Sequence, residues 1–279
     1  MKTVALSAIF GCTLASQVLA WDQEGHSVVA EIAQRRLTPE AVAMVEQVLG
    51  KGHSLAAVAS WADDVRDARP ETYNWHFVDI PIGDTEYDPA TECQPTDKGD
   101  CVVAELDRLK NDVRCASDQA KIEALKFAVH FVGDIHQPLH TVADERGGND
   151  IQVQLSVHAP TCTGNCRSEH TNFHAAWDTG LISRVVWDWG AYVDRLESGW
   201  LKSDEASTPG LDGGTPADWA TQTHQAAQTV WQLLPENRVL DDDYLAQVLP
   251  VLDRQLGLAG LRLARFLNNA YASSQCPVN

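Results

Sequence analysis

Positive charge is what this sequence has least of: 21 Lys and Arg stand against 39 Asp and Glu, a formal net charge of −18. That balance excludes a protein that coats nucleic acid through a basic surface, so any handling of phosphate must rest on a local concentration of cations. Beyond residue 20 no run is long and apolar enough to cross a membrane. Asn-x-Ser/Thr sequons are absent, so N-glycosylation is not expected. Neither an internal repeat nor a clear domain linker divides the chain, and strand-like segments are few.

What is present begins with a leader. Residues 1–20, MKTVALSAIFGCTLASQVLA, join a short basic start to an apolar stretch too short to span a bilayer, and end on small Ala20 with Val18 two positions before it. This pattern predicts a signal peptide over 1–20, a mature chain starting at Trp21 and a secreted or periplasmic product without a membrane anchor. A lipoprotein cut at Cys12 is disfavoured by bulky Phe10. Loss of Lys2 and of no acid takes the net charge from −18 to −19. The remaining 259 residues (279 less 20) suit one domain over 21–279, and 44% hydrophobic residues with nine tryptophans suffice for a large core. Six cysteines follow the leader, at 93, 101, 115, 162, 166 and 276. In an oxidising compartment they read as disulfides, in one of fifteen pairings.

Helical signals dominate, which predicts a mainly α fold. Thr38-Pro39-Glu40 reads as a cap with proline in the first turn, and Gly50 can close that helix. Ser54 opens a second run that stops before Pro70. Residues 119–136 carry apolar side chains on more than one face, the mark of a buried helix ended near Pro138. Runs at 172–187, 218–234 and 241–270 are also helical in pattern. IQVQLSV (151–157) alternates as a strand does, and WHFVDI (75–80) can be extended. Loops are predicted at 81–100, 144–150, 158–171 and 203–217.

The segment HFVGDIHQPLH (130–140) concentrates three histidines and an aspartate in an otherwise apolar helix. His130 and Asp134, four apart, share a helix face, and His140 lies past the break at Pro138, where it can fold back toward them. His136 points elsewhere and is expected to be packed and hydrogen-bonded. The same spacing returns at His174 and Asp178, with Asn172 placed to cap. Imidazole and carboxylate together suit zinc. WDQEGH at the mature start, SWADDVR and WHFVD add further donors. Without a metal, several of these polar groups would be buried at roughly 1–3 kcal/mol each. His158, Cys162, Cys166 and His170 also recur every fourth position, but Pro160 and Gly164 break the helix, so a Cys162–Cys166 disulfide is expected there instead of zinc. His53 and His224 read as solvated or capping.

Taken together, these motifs resemble the zinc-dependent S1/P1 nucleases. The resemblance runs from Trp21 through WADDVR, WHFVDIP, ALKFAVHFVGDIHQPLH, RGGND and NFHAAWDTGLI to GLRLARFLNN, nearly the whole mature chain, with both ligand spacings in order. It implies a single compact multi-helix domain with three zinc ions in one cleft. One ion would be held by Asp63, His76, His130 and Asp134, and a second by His140, His174 and Asp178. The third would take His26, Asp134 again, and the backbone amine and carbonyl of Trp21. The implied activity is hydrolysis of single-stranded DNA and RNA to 5′-phosphorylated products, with 3′-nucleotides as further substrates. Asp63 and Arg66 would belong to the catalytic machinery, Arg66 facing charge that grows on the phosphoryl oxygens. Phe77 would stack on a base and Asp79 accept hydrogen bonds from it, with Asn149 in a glycine loop beside them. Six positive charges from the ions against three from Asp63, Asp134 and Asp178 would make the cleft cationic within an acidic chain. A zinc-dependent phospholipase C shares the trinuclear site and the amino-terminal tryptophan. The short Trp21-to-His26 spacing, Asp178 where the lipase has glutamate, and the long insertion between His140 and His174 weigh against it.

Overall fold

Capping chemistry sets the helix ends in the computed structural model, which describes residues 21–158, 167–186, 188–272 and 276. The leader and the Cys162–Cys166 pair fall outside the described residues. After α1 (Gln23–Gln34), α2 (Pro39–Leu49) starts where the Thr38 hydroxyl accepts from the Ala41 N–H, and it ends at Gly50 with φ 96°. The run opened by Ser54 breaks into a 3-10 turn at Ala56–Val58 and α3 (Trp61–Arg66). Pro70 then begins a further 3-10 turn, Pro70–His76. α4 (Val102–Cys115) leads into α5 (Asp118–Asp134), whose buried residues Leu125, Phe127, Val129, Phe131 and Val132 spread around the helix. A helix apolar on all sides must lie inside the protein. α6 (Trp189–Ser198) and α7 (Pro216–Gln232) follow, α7 with a capping box of Thr215 and Asp218. The last helix, α8 (Asp242–Ala272), runs 31 residues and buries Leu252, Leu256, Leu263 and Leu267. α1 packs along α8 and α4 along α5, so the motif-bearing α1 and α5 both lie in the core.

The fold is mainly α, with a small sheet ordered β2-β1-β3. β1 (Gln152–Leu155) lies within the alternating segment and pairs antiparallel with β2 (Glu169–Asn172), from Gln152 opposite Asn172 to Leu155 opposite Glu169. β3 (Val239–Leu240) adds in parallel. β2 falls where a loop was expected, because its sequence EHTN has no apolar alternation; the backbone of β1 alone aligns it. WHFVDI is extended at Phe77 (φ −151°, ψ 173°) but joins no sheet. Instead Val78 N donates to His140 O at 2.9 Å and Val102 N donates to Phe77 O at 3.0 Å.

His224 corrects the sequence reading. It is fully buried, with Nδ1 2.6 Å from Thr141 O and Nε2 3.1 Å from Asp84 O, and so ties α7 to the 3-10 turn Pro138–Thr141 and to the segment at Asp84. Disulfides join Cys93 to Cys101 and Cys115 to Cys276, the second linking the end of α4 to the chain beyond α8. Among the described residues no helix is long and apolar enough to cross a membrane.

Candidate metal centre

Segments remote in sequence converge on Asp134 at the end of α5. One helical turn separates it from His130, whose Nε2 lies 3.2 Å from Asp134 Oδ2. α1 brings His26 Nε2 to 3.2 Å from Oδ1, and the 3-10 turn Pro70–His76 brings His76 Nδ1 to 3.0 Å from Oδ2. α3 contributes Asp63, whose Oδ1 lies 3.4 Å from His76 Nδ1 and 3.5 Å from His130 Nε2. Beside this group sits a second. His140 comes from the 3-10 turn Pro138–Thr141, His174 from the turn Phe173–Ala175, and Asp178 from the π turn that follows. His174 Nε2 is 3.4 Å from Asp178 Oδ2 and His140 Nε2 is 3.8 Å from Asp178 Oδ1. Asn172 caps this region by accepting from Ala175 N at 2.7 Å.

A missing side chain allows the first group to close. A Cβ at Gly133 would stand 2.7 Å from His26 Nδ1, so only glycine lets α1 lay that ring against α5. Trp21 is buried beside it and donates its indole N–H to Gly133 O at 3.0 Å.

Three sets of these side chains can hold a cation, each with its donor atoms within 4.8 Å of one another: His26, Asp63 and His130; His76, His130 and Asp134; His140, His174 and Asp178. The donor chemistry fits. His130, His140 and His174 donate Nδ1–H to the carbonyls of Ala59, His76 and Gly147 at 2.7, 2.8 and 2.7 Å. Such bonds fix the tautomer and leave the Nε2 lone pair facing inward, as metal-binding histidines require. The Gln137 amide donates to Asp178 Oδ1 in the same manner. Both nitrogens of His26, His76 Nε2, His140 Nε2, Asp63 Oδ1, Asp134 Oδ1 and Asp178 Oδ2 are buried and make no hydrogen bond. Leaving such atoms unsatisfied costs roughly 1–3 kcal/mol each, and coordination of a cation relieves it.

The electrostatics agree. Burial opposes ionisation of Asp134, yet His130, His26 and His76 hold its carboxyl well below the ordinary range. Burial alone would lower His130, but the charges of Asp134 and Asp63 push it up to about 10. Burial takes His76 down to about 4 and, with help from His140, takes His174 down to about 3. His76 and His174 are thus neutral, the form metal binding needs, whereas His130 holds an extra proton between Asp134 and Asp63 that a cation bound there would displace.

The second group opens into a cleft of about 220 Å³ whose walls include Arg66, Tyr73, Phe77, Asp79, His140 and His174, with Arg146 and Asn149 on the same face. A larger cavity of about 500 Å³, between Lys110, Trp219 and Phe266, has no histidine in its lining and carries no comparable chemistry. The Arg66 guanidinium lies 4.0 Å over the Tyr73 ring and donates to Tyr73 O at 3.2 Å. Phe77 meets Tyr73 edge-on at 85°. Asp79 reaches solvent on one side, while the walls around it exclude enough water to raise its carboxyl above the ordinary value. Asn149 Nδ2 donates to Arg146 O at 2.8 Å, and its Oδ1 is buried without a partner.

His136 points away from both groups. Its Nδ1 donates to Val132 O at 2.7 Å and its Nε2 accepts from buried Arg262 at 2.9 Å. Three residues at the site were not anticipated: Tyr73, Gln137 and Arg146. Tyr73 stands three before His76 in a 3-10 turn, where i and i+3 eclipse, and that spacing was a usable signal. Gln137 lay inside the His-Asp motif itself.

A family model described as S1/P1 Nuclease matches residues 21–272. The chain is 30% identical to Nuclease P1 of Penicillium citrinum, over 91% of this chain and 98% of that protein. It is 28% identical to Endonuclease 4 of Arabidopsis thaliana, over 93% of this chain and 92% of that protein. Identity to Nuclease S1 of Aspergillus oryzae is also 28%, over 91% and 93%.

Proposed function

The chain belongs to the S1/P1 nuclease family, and on that footing we propose that it is a secreted, zinc-dependent phosphodiesterase. Its substrates are single-stranded DNA and RNA, cleaved to 5′-phosphorylated products, and it also removes phosphate from 3′-nucleotides. The observation that carries this reading is the convergence of His26, Asp63, His76, His130, Asp134, His140, His174 and Asp178, buried and with unsatisfied nitrogens and oxygens among them, where His140 and His174 open into a cleft. The proposed assignment places one zinc on Asp63, His76, His130 and Asp134, a second on His140, His174 and Asp178, and a third on Trp21, His26 and Asp134. Zinc supplies Lewis acidity at phosphoryl oxygens and lowers the pKa of water toward ~7.

The protein's own groups supply the rest. Arg66, held on the Tyr73 ring, faces charge that grows on the phosphoryl oxygens. Phe77 stacks on an unpaired base, which favours single strands, and Asp79 and Asn149 hydrogen-bond its edge. Disulfides support an extracellular setting.

EDTA treatment is expected to abolish hydrolysis and to lower the melting temperature by roughly 10 °C or more, since several kcal/mol of binding energy are lost at ~2–4 °C per kcal/mol. Zinc counting, calorimetry and a single-stranded DNA assay on one preparation check this. A metal-free sample that keeps full activity would sink the reading, and release of phosphocholine from phosphatidylcholine in place of DNA cleavage would redirect it to a phospholipase C. For Phe77→Ala, nucleotide binding is expected to weaken by about 1–3 kcal/mol, read as a rise in KM. Unchanged KM and kcat would assign the ring to packing alone.

A further inference from the structure

The loop from Glu145 to Gly148 follows a backbone course that L-residues avoid. Its four residues have φ of 48°, 54°, 64° and 84°, all left-handed, a conformation unfavourable for every residue but glycine. At Gly147 the reason is local. Its carbonyl accepts from His174 Nδ1 at 2.7 Å, and a Cβ there would stand 2.6 Å from Leu139 O. At position 146 glycine would serve the turn with less strain, yet the chain places arginine there. Glu145 shares the conformation but is not among the cleft residues, whereas Arg146 lines the cleft beside Phe77, Asp79 and His174. Strain held beside an active site points to a use for the side chain.

The side chain suits a ligand from solvent. It is 69% exposed, and its ion pair is with exposed Asp150, Nη1 to Oδ1 at 3.2 Å, an arrangement of little net strength. Its carbonyl is tied by Asn149 Nδ2, so the two cleft-facing residues of the loop are held together. The cleft, about 220 Å³, is smaller than the ~300 Å³ at which pockets begin to enclose drug-sized ligands. It can house one base, and a longer strand must run out across the mouth where Arg146 stands.

We propose that Arg146 binds a backbone phosphate flanking the one being cleaved, and thereby favours polynucleotides over mononucleotides. This rests on the nuclease reading of the cleft. Arg146→Gly, Arg146→Lys and the wild type, each zinc-loaded, are compared on a short single-stranded oligodeoxynucleotide and on a 3′-mononucleotide across a salt series. Arg146→Gly is expected to raise KM for the oligonucleotide about 3- to 10-fold and to reduce the salt slope of log kcat/KM by about 0.7, the value for one phosphate contact on a single strand. The loss on the mononucleotide should be several-fold smaller, and the melting temperature should stay at or above that of the wild type because strain is relieved. Arg146→Lys should restore the slope. A wild-type slope and KM in Arg146→Gly would overturn the proposal. So would equal losses on both substrates with a lowered melting temperature, which would make Arg146 a structural residue. A zinc-loaded wild type inert toward both substrates would remove the nuclease reading itself, and this inference with it.

Discussion

Asp134→Asn is expected to reduce turnover of single-stranded DNA by about a thousandfold, the equivalent of several kcal/mol of metal-derived stabilisation. The reason lies in geometry. Asp134 places its two oxygens 3.0–3.2 Å from three imidazoles that come from α1, the 3-10 turn Pro70–His76 and α5. In the proposed assignment this single carboxylate serves two ions. The amide keeps the volume but removes the negative charge, and it offers a nitrogen that does not bind cations. Zinc content measured by atomic absorption should fall in the same sample. Asp79→Ala is expected to do much less, since Asp79 lines the cleft and in the proposed reading serves base capture and not the metals. Equal residual rates for the two variants would overturn the ordering and with it the bridging role.

In the proposed three-zinc assignment, with the leader cut after Ala20, a protein carrying one extra alanine before Trp21 is expected to lose about one zinc of three and most of its hydrolysis, because metal-based nucleophile generation needs the complete cluster. A free α-amine binds zinc once deprotonated, whereas an amide nitrogen within a chain is a poor ligand. Trp21 is buried with its indole bonded to Gly133 O, next to the glycine over which His26 lies. Asp22 N donates to Asp178 O at 3.1 Å, which ties the residue after Trp21 to the second group. Signal cleavage after Ala20 would therefore also be an activation step. The other two ions should remain, so zinc counting separates this effect from unfolding. Full zinc occupancy with wild-type turnover would leave Trp21 as a packed aromatic.

What the sequence by itself determined was local. Cap and turn residues placed α2, and the i, i+4 spacing put His130 with Asp134 and His174 with Asp178, because a helical turn brings such pairs together whatever surrounds them. The same periodicity turned His136 off that face. The dominance of helical signals over strand signals gave the mainly α fold, and motif resemblance carried the reading further, to the list of residues that meet at Asp134.

Tertiary structure decided what depends on contacts between distant segments. Six cysteines allow fifteen pairings on paper, and only the packing of α4 against α8 brought Cys115 to Cys276. β2 has no pattern of its own and exists because β1 aligns it. His224 reads as polar in sequence and lies buried, since the carbonyls of Thr141 and Asp84 satisfy both its ring nitrogens. The partner of His136 is Arg262, 126 residues away on α8, and the support for Asp178 is Gln137, 41 residues before it. Helix spacing specifies geometry over a turn or two, whereas the positions of His26, Asp63 and His76 around Asp134 arise only when burial of the surrounding apolar faces locks α1, α3 and α5 together.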